Sequence, residues 1–311
     1  GSLFRRRGEV DRAIRMHQNL VDRPGINQKQ RERARFALAE DFFSAGLLDR
    51  AEDLYLQLRG TSEHRVTALR RLLRICEITA EWDRAVDLCG ELLRIGTDTV
   101  TPGQLAHYYC ELAEEARKKS DWKEAYRLLE QAEAVEPGKV RCTIIRGDLA
   151  ADQGQSVAAA SAYAELARAV PAMLGDILPR LLRTVPQAGL EPLLQEVTAT
   201  PEGLRGIALA VIRDPQISHP AAIDCLGRFI EQQPILRDLA GAGFPGAAAA
   251  DSRRQAIERV RKALHQLARV GTNYQCADCG YYSSVLQWQC PGCRAWDTVG
   301  AADRLLFKGS P

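Results

Sequence analysis

Four cysteines near the end of the chain constrain its fold more than any other feature. They form two Cys-x-x-Cys pairs, Cys276 with Cys279 and Cys290 with Cys293, separated by ten residues. Each pair fits on one tight turn, and two such turns facing each other supply the four thiolates that a tetrahedral metal ion needs. Gly280 directly follows the first pair, where a tight turn favours glycine. The spacing therefore predicts a metal site with these four cysteines as ligands.

Two other uses of these cysteines agree less well with the rest of the sequence. Disulfides would need an oxidising compartment, whereas the remaining cysteines stand singly in helical patterns typical of reduced, buried thiols. These cysteines are Cys76, Cys89, Cys110, Cys142 and Cys225. A thioredoxin-like redox site needs only one Cys-x-x-Cys pair, placed between a strand and a helix, and this part of the sequence lacks that strand-to-helix context. A site closed by four thiolates leaves no open position for water or substrate, so we expect a structural metal.

Helical repeats are predicted over most of the chain, because a small-residue anchor recurs at intervals of about 34 residues. The anchors are Ala13, Ala51, Ala85, Ala125 and Ala159, and their separations are 38, 34, 40 and 34 residues. A period near 34 is typical of tetratricopeptide repeats, each of which is a hairpin of two helices. We expect hairpins near 31–59, 65–95, 104–135 and 140–170, after a truncated first repeat. Prolines interrupt the pattern after residue 171, where we expect irregular repeats near 173–200 and 203–234.

The predicted fold class is all-α, a superhelical solenoid of tetratricopeptide repeats with a small C-terminal rubredoxin-like or zinc-ribbon module. Ala, Leu, Glu and Arg are abundant and favour helix. The repeat array is assigned to residues 3–268 and the metal-binding module to residues 271–300. No run approaches the roughly 18 apolar residues of a membrane-spanning helix. The opening Gly1-Ser2 and the abrupt start of a helical pattern at Leu3 lead us to expect that the natural protein has further sequence before this segment.

A partner-binding surface is predicted on the first helix of each repeat, since these helices line the concave groove of a repeat stack. Phe36 and Phe43, beside several arginines, suit a peptide segment with acidic and apolar parts. A solvated face with scattered apolar residues is the alternative for the same positions. The predicted partner-binding residues are Arg33, Phe36, Glu40, Phe43, Arg70, Arg74, Glu77, His107, Glu114, Arg117, Arg141 and Asp148.

Enzymatic activity is not indicated by any motif in the sequence. The chain contains no P-loop, no G-x-S-x-G and no H-E-x-x-H. Residues 241–246 spell G-x-G-x-x-G, but no βαβ pattern surrounds them, so nucleotide binding is disfavoured. His107 has no nucleophile motif beside it and is interpreted as a packing or hydrogen-bonding residue. The net charge of +2 is too small to indicate nucleic acid as a partner.

Four segments of the chain resemble the lipopolysaccharide assembly protein B family. They are residues 8–20 (GEVDRAIRMHQNL), residues 44–52 (SAGLLDRAE), Tyr274-x-Cys276-x-x-Cys279-Gly280, and Trp288-x-Cys290-Pro291-x-Cys293-Arg294-Ala295-Trp296. The resemblance covers nearly the whole chain. It is strongest at the two ends and weakest between residues 171 and 250.

This resemblance implies a bacterial inner-membrane protein with an N-terminal anchor helix outside the present sequence. The repeat array would face the cytoplasm and end in a rubredoxin-type metal module. The family is expected to act as a non-enzymatic adaptor that restrains lipopolysaccharide synthesis. Its implied partners are the membrane-bound AAA+ zinc metalloprotease and, as client, the deacetylase that commits precursors to lipid A. An opposing inner-membrane regulator and lipopolysaccharide transport proteins are further implied partners, and the sequence leaves monomer and dimer open.

The metal module departs from a true rubredoxin in two ways. Arg294 stands where a glycine normally follows the second pair, and the ten-residue spacer is shorter than that of an electron-transfer rubredoxin. A glycine there lets backbone N–H groups approach the sulfurs and helps set the potential of iron, so its loss argues for a structural role. Zinc is therefore the preferred metal, with iron as the alternative because both accept four thiolates. A nucleic-acid-binding zinc ribbon and a rubredoxin-like electron carrier are the alternative functions.

Overall fold

The computed structural model describes residues 2–96, 98–240, 250–269 and 274–301. Contacts between residues divide the chain into two compact units, residues 1–139 and residues 140–311. In its described residues, the first unit contains helices and no strand, whereas the second contains helices and a small sheet.

The first unit is a series of helices in which each helix packs against the next. Its helices are α1 (Ser2–Arg6), α2 (Val10–Val21), α3 (Gln28–Ser44), α4 (Leu48–Arg59), α5 (Arg65–Thr79), α6 (Trp82–Ile95), α7 (Pro102–Lys118) and α8 (Trp122–Val135). Local sequence explains where the longer helices begin. Asn27 and Gln30 form a reciprocal capping box before α3, and the Thr101 hydroxyl accepts a hydrogen bond from the Gln104 N–H at the start of α7.

The second unit continues with shorter helices, several of which begin at a proline. They are α9 (Val140–Asp152), α10 (Ser156–Ala169), a 3₁₀ turn (Pro171–Met173), α11 (Leu174–Thr184), α12 (Gln187–Val197), α13 (Pro201–Arg213), α14 (Pro220–Gln232), α15 (Pro234–Ala240) and α16 (Ala250–Arg269). Proline is compatible with the first helical position because the N–H that it lacks would have no partner there. In this region α11 packs extensively against α13, and α16 packs against both α13 and α14.

The predicted fold class is confirmed by the helical hairpins. Helices α3/α4, α5/α6, α7/α8 and α9/α10 occupy the four predicted hairpins, with bounds that differ by a few residues at most. The five anchor alanines are all completely buried, because a side chain of this size allows two helices to cross closely. Larger side chains on the same helices, including Tyr55 and Tyr163, are buried as well.

Two triads of side chains, here called carboxylate clamps, tie three successive helices together. The first clamp is Glu40, Tyr55 and Arg71, and the second is Asp148, Tyr163 and Arg180. In the first clamp, the Tyr55 hydroxyl donates to Glu40 Oε1 at 2.7 Å, and the Arg71 guanidinium donates to both carboxylate oxygens at 2.6 and 2.7 Å. The carboxylate of α3 is thereby bound to the second helix of its own hairpin and to the first helix of the next.

The second clamp repeats this arrangement with a shorter acid. Tyr163 donates to Asp148, and the Arg180 guanidinium donates to the two carboxylate oxygens at 2.8 and 3.0 Å. Burial, followed by the adjacent Asp148, raises the pKa of Tyr163, so its hydroxyl stays protonated and acts as a donor. Bidentate pairing of an arginine with a carboxylate fixes distance and orientation together.

Gly147 is expected to be essential for packing beside the second clamp. A Cβ atom at this position would lie 2.5 Å from Cε1 of Tyr163. We expect Gly147→Ala to lower the free energy of unfolding by about 1–3 kcal/mol, because the ring must shift in a close-packed core. Chemical denaturation measures this change. Gly90→Ala in α6 is the control, because a Cβ atom at Gly90 would meet no atom within 4 Å. This variant should have a free energy of unfolding higher by up to about 1 kcal/mol, owing to the better helix propensity of alanine. Equal stability of the two variants would contradict this account.

The C-terminal end of α13 is capped from α16. Arg261, which is buried, donates to the carbonyl oxygens of Val211, Asp214 and Ile217 at 2.9–3.1 Å. The imidazole Nδ1 of His265 lies 2.9 Å from the Ile212 carbonyl oxygen. These contacts satisfy the carbonyl groups that a helix end leaves without intrahelical partners.

Several predictions concern regions or boundaries that these contacts do not test. The G-x-G-x-x-G segment at 241–246 lies outside the described residues. The assigned boundary between a repeat array ending at 268 and a module starting at 271 stays a prediction. Among the helices that the structure describes, none combines the length and apolar character needed to cross a bilayer.

Candidate functional site

The cysteine-containing segment folds around a three-stranded antiparallel sheet. Its strands are β1 (Tyr274–Cys276), β2 (Tyr282–Ser283) and β3 (Val299–Ala301), in the order β2-β1-β3. Tyr274 pairs with Ser283 on one side and with Ala301 on the other, and Cys276 pairs with Val299. Tyr274, Cys276, Cys290 and Val299 form the small core of this β module, which is defined here as residues 274–301.

Each Cys-x-x-Cys pair lies on a turn with the same backbone hydrogen bonds. In the first turn, the Cys276 N–H donates to the Tyr281 carbonyl oxygen at 2.8 Å and the Gly280 N–H donates to the Cys276 carbonyl oxygen at 3.0 Å. In the second turn, the N–H groups of Cys290 and Arg294 make the equivalent bonds, to Ala295 at 2.8 Å and to Cys290 at 2.7 Å. The two turns therefore present their sulfurs in matching geometry.

The four sulfurs converge on one point. All four Sγ atoms lie within 4.8 Å of one another, with Cys276 to Cys293 and Cys279 to Cys290 both at 3.6 Å. A tetrahedral zinc with Zn–S bonds of about 2.3 Å requires sulfurs about 3.8 Å apart. A disulfide would need about 2.0 Å, so the cysteines are unpaired thiols. The distances and the soft donor atoms fit a zinc or iron ion.

The surroundings of two of the sulfurs shift their pKa values in opposite directions. The Thr298 hydroxyl, 3.2 Å from Cys276 Sγ, lowers the pKa of Cys276 to about 6. The Ala295 N–H lowers the pKa of Cys293, but partial desolvation of the sulfur and the three neighbouring sulfurs outweigh it and raise that pKa. Four thiolates so close together repel one another unless a cation lies between them.

Arg294 adopts the left-handed backbone conformation that Gly280 adopts in the first turn, with φ values of 64° and 74°. A residue with a Cβ atom pays about 1 kcal/mol or more in this conformation. We therefore expect Arg294→Gly to strengthen retention of metal by about fivefold, which corresponds to about 1 kcal/mol.

Competition with a coloured chelator measures this change. Gly280→Ala is the converse control, since its Cβ would meet nothing closer than 3.7 Å and would add only the backbone cost. It should weaken retention by a similar factor. If neither variant altered metal retention, the strain assigned to Arg294 would be refuted.

The β module docks on helices of its own unit through two aromatic residues. The Tyr274 hydroxyl donates to the Asp176 carboxylate of α11 and accepts a hydrogen bond from Arg213 Nη1 of α13 at 3.1 Å. The Arg213 guanidinium also lies 4.9 Å from the centre of the Tyr274 ring. Trp288 packs against the helical core, with the Arg141 guanidinium 5.9 Å from its ring. Neither Asp176 nor Arg213 was identified from the sequence as a contact of the module.

The predicted partner-binding residues of the first unit lie on α3, α5 and α7, the first helices of their hairpins. Arg33 forms an ion pair with Glu63 at 2.9 Å, and Phe36 stacks on His64 with ring centres 5.0 Å apart. Arg70 is exposed. Phe43 is half-buried beneath the Arg71 guanidinium, which is 5.2 Å from its ring centre.

Other predicted residues are occupied by contacts within the chain. Glu40 and Asp148 are the acids of the carboxylate clamps. The ion pairs Arg74 to Glu77 and Glu114 to Arg117, at 3.1 and 3.0 Å, each join residues one helical turn apart. The side chains that are buried are Glu77, His107 and Arg141. Partner binding by the predicted set stays a prediction, and its exposed members include Arg33 and Arg70.

Comparisons with known proteins match the β module and, separately, nearly the whole chain. Residues 274–301 match the family model of a rubredoxin metal binding domain. The chain is 31% identical over 309 residues to lipopolysaccharide assembly protein B of Escherichia coli strain K12, covering 96% of this chain and 78% of that protein. It is 30% identical over 319 residues to the protein of that name from Haemophilus influenzae, covering 96% and 77%. It is also similar to the crystal structure of YrrB, a TPR protein with an unusual peptide-binding site, with TM-score 0.33, 17% identity and coverage of 64% and 93%.

Proposed function

The chain belongs to the lipopolysaccharide assembly protein B family, and we propose from this premise that it is a non-enzymatic adaptor in the regulation of lipopolysaccharide biosynthesis. The observation that carries this proposal is the extent of the match, which covers 96% of the chain and includes both the helical hairpins and the metal module. A protein made of repeats and a closed thiolate site is suited to holding other proteins.

The metal module is proposed to act as a structural element of this adaptor. Cys276, Cys279, Cys290 and Cys293 would hold the ion. Zinc is proposed over iron because Arg294 stands where a rubredoxin has a glycine, which argues for a structural role. The bound metal supplies folding energy to a module that is too small to be stabilised by its apolar core alone. Iron is the alternative metal, and elemental analysis of purified protein distinguishes the two.

The partners are proposed as a client and a protease. In this proposal the chain works at the cytoplasmic face of the inner membrane and brings the lipid A committing deacetylase to the membrane-bound AAA+ zinc metalloprotease. An inner-membrane regulator would oppose it. The surface proposed for client or protease is the face of α3 and α5 that carries the exposed Arg33 and Arg70. Their positive charge suits an acidic segment on the partner.

Charge reversal on this face tests the proposal. We expect Arg70→Glu, in the natural protein that contains this chain, to lengthen the half-life of the deacetylase in cells and to weaken capture of the deacetylase or the protease by about tenfold. Arg15→Glu is the matched control, because Arg15 is an exposed arginine on the second helix of a hairpin. Unchanged deacetylase turnover with Arg70→Glu, or an equal effect of both variants, would argue against this surface.

A further inference from the structure

One short strand joins the metal site to the helices. In β1, Tyr274 and Cys276 are both buried while Gln275 between them is half-buried, because alternate residues of a strand point to opposite faces. Tyr274 binds Asp176 and Arg213, and Cys276 is one of the converging sulfurs. The conformation of β1 therefore links the metal ligands to the contact with α11 and α13.

The four sulfurs differ in their access to solvent. Cys276 and Cys290 are buried, whereas Cys279 and Cys293 are exposed, and the sulfurs of this outer pair lie within 4.8 Å of each other. The remaining cysteines of the chain are buried singly in helices. A dissolved oxidant therefore meets the outer pair first.

We propose that the β module is a peroxide-sensitive switch in which oxidation of Cys279 and Cys293 releases the metal and detaches the module from α11 and α13. This inference rests on the metal-binding part of the proposed function and is independent of the adaptor role. It adds a regulated state to a module otherwise described as structural.

The chemistry requires hydrogen peroxide as the oxidant and uses only the outer pair. One thiolate attacks a peroxide oxygen, the O–O bond breaks, and a sulfenic acid and hydroxide form. The second thiolate then attacks the sulfenic sulfur, forming the S–S bond and releasing a second hydroxide. Two electrons pass from the sulfurs to peroxide. Only Cys276 and Cys290 remain as ligands, and two thiolates hold a tetrahedral ion far more weakly than four.

Loss of the metal has a defined consequence for the helices. Without the metal, nothing holds the two cysteine turns against each other. As a result, β1 loses the geometry that directs the Tyr274 hydroxyl to Asp176, and Trp288 loses its position on the helical core. The face that becomes accessible carries Asp176 on α11 and Arg213 on α13, together with the apolar surface under Trp288. The helices themselves retain their separate core.

The test uses the full chain loaded with zinc, with zinc content measured first. If no zinc is bound at that stage, the proposed metal site fails and the switch is refuted with it. Peroxide is then added stepwise, zinc release is followed with a coloured chelator, and the disulfide is mapped by mass spectrometry. We expect a Cys279–Cys293 disulfide, with zinc release in proportion to its formation. Hydrogen exchange in residues 274–276 and at the contacting parts of α11 and α13 should become faster by about tenfold or more.

Two further measurements test whether the metal site controls the contact with α11. After oxidation, adding a reductant together with zinc should restore slow hydrogen exchange in residues 274–276 and in the contacting parts of α11 and α13. Tyr274→Phe, which keeps all four ligands, should retain zinc before oxidation while exchange in α11 becomes faster. Zinc retained after the disulfide has formed would overturn the proposal, as would initial oxidation of the buried cysteines, or zinc release with unchanged exchange in α11.

Discussion

Cys290→Ser is expected to abolish metal binding and to unfold residues 274–301. Cys290 is completely buried, its Sγ lies 3.6 Å from that of Cys279, and its N–H closes the second turn by donating to Ala295. A serine hydroxyl is a hard, neutral donor at this pH and does not replace a thiolate on zinc. Structural zinc typically contributes about 10 kcal/mol or more to the folding of small domains, so its loss exceeds what the small apolar core of the module can offset.

Elemental analysis and hydrogen exchange of residues 274–301 measure this effect. The helical content should change little, because the helices of the second unit are buried in a cluster separate from the module's core. Cys89→Ala is the control, since Cys89 is a buried thiol of α6 distant in sequence from the module, and this variant should bind metal normally. Full metal content in Cys290→Ser would show that this cysteine is not a ligand.

Arg261→Met is expected to destabilise the second unit by about 3–5 kcal/mol. The guanidinium is buried and donates to three carbonyl oxygens at the end of α13 and in the following turn. Methionine reproduces much of the aliphatic stem but leaves these carbonyl groups without their donor, and each hydrogen bond to a charged group is worth about 1.5–3 kcal/mol without strict additivity.

Urea denaturation followed by helical circular dichroism measures the loss. Arg254→Met is the matched control, because Arg254 is an exposed arginine on the same helix and its replacement should change stability by no more than about 0.5 kcal/mol. Comparable stability of the two variants would mean that water or backbone rearrangement replaces the contacts of Arg261.

The repeats and the metal module were predictable because their signals are local. The anchor alanines recur with the period of one hairpin, and each is completely buried in the structure. The paired Cys-x-x-Cys spacing describes two turns, and the sulfurs of those turns converge. Both signals depend on residues that are close in sequence, so no knowledge of tertiary contacts was needed.

The contacts between distant segments were not predictable in the same way. Tyr274 and Asp176 are 98 residues apart, and nothing in the local sequence around either residue indicates the other. Repeat register correctly assigns Glu40 and Asp148 to the first helices of hairpins, but it does not show which neighbouring side chains reach them. The available signal was a common spacing: in both clamps a tyrosine stands 15 residues after the acid, and an arginine stands 31 or 32 residues after the same acid.

The carboxylate clamps limit where the chain can change in length during evolution. Each clamp spans two connections between helices, so an insertion in either connection must leave three side chains in contact. The two longer separations between anchor alanines arise elsewhere. The 38-residue separation contains the six-residue connection 22–27 and the 17-residue helix α3, and the 40-residue separation contains the six-residue connection 96–101 and the 17-residue helix α7. Neither clamp crosses those two connections. Related sequences should therefore vary in length mainly there, and conserve the separations of 15 and about 31 residues wherever an acid, a tyrosine and an arginine occur together.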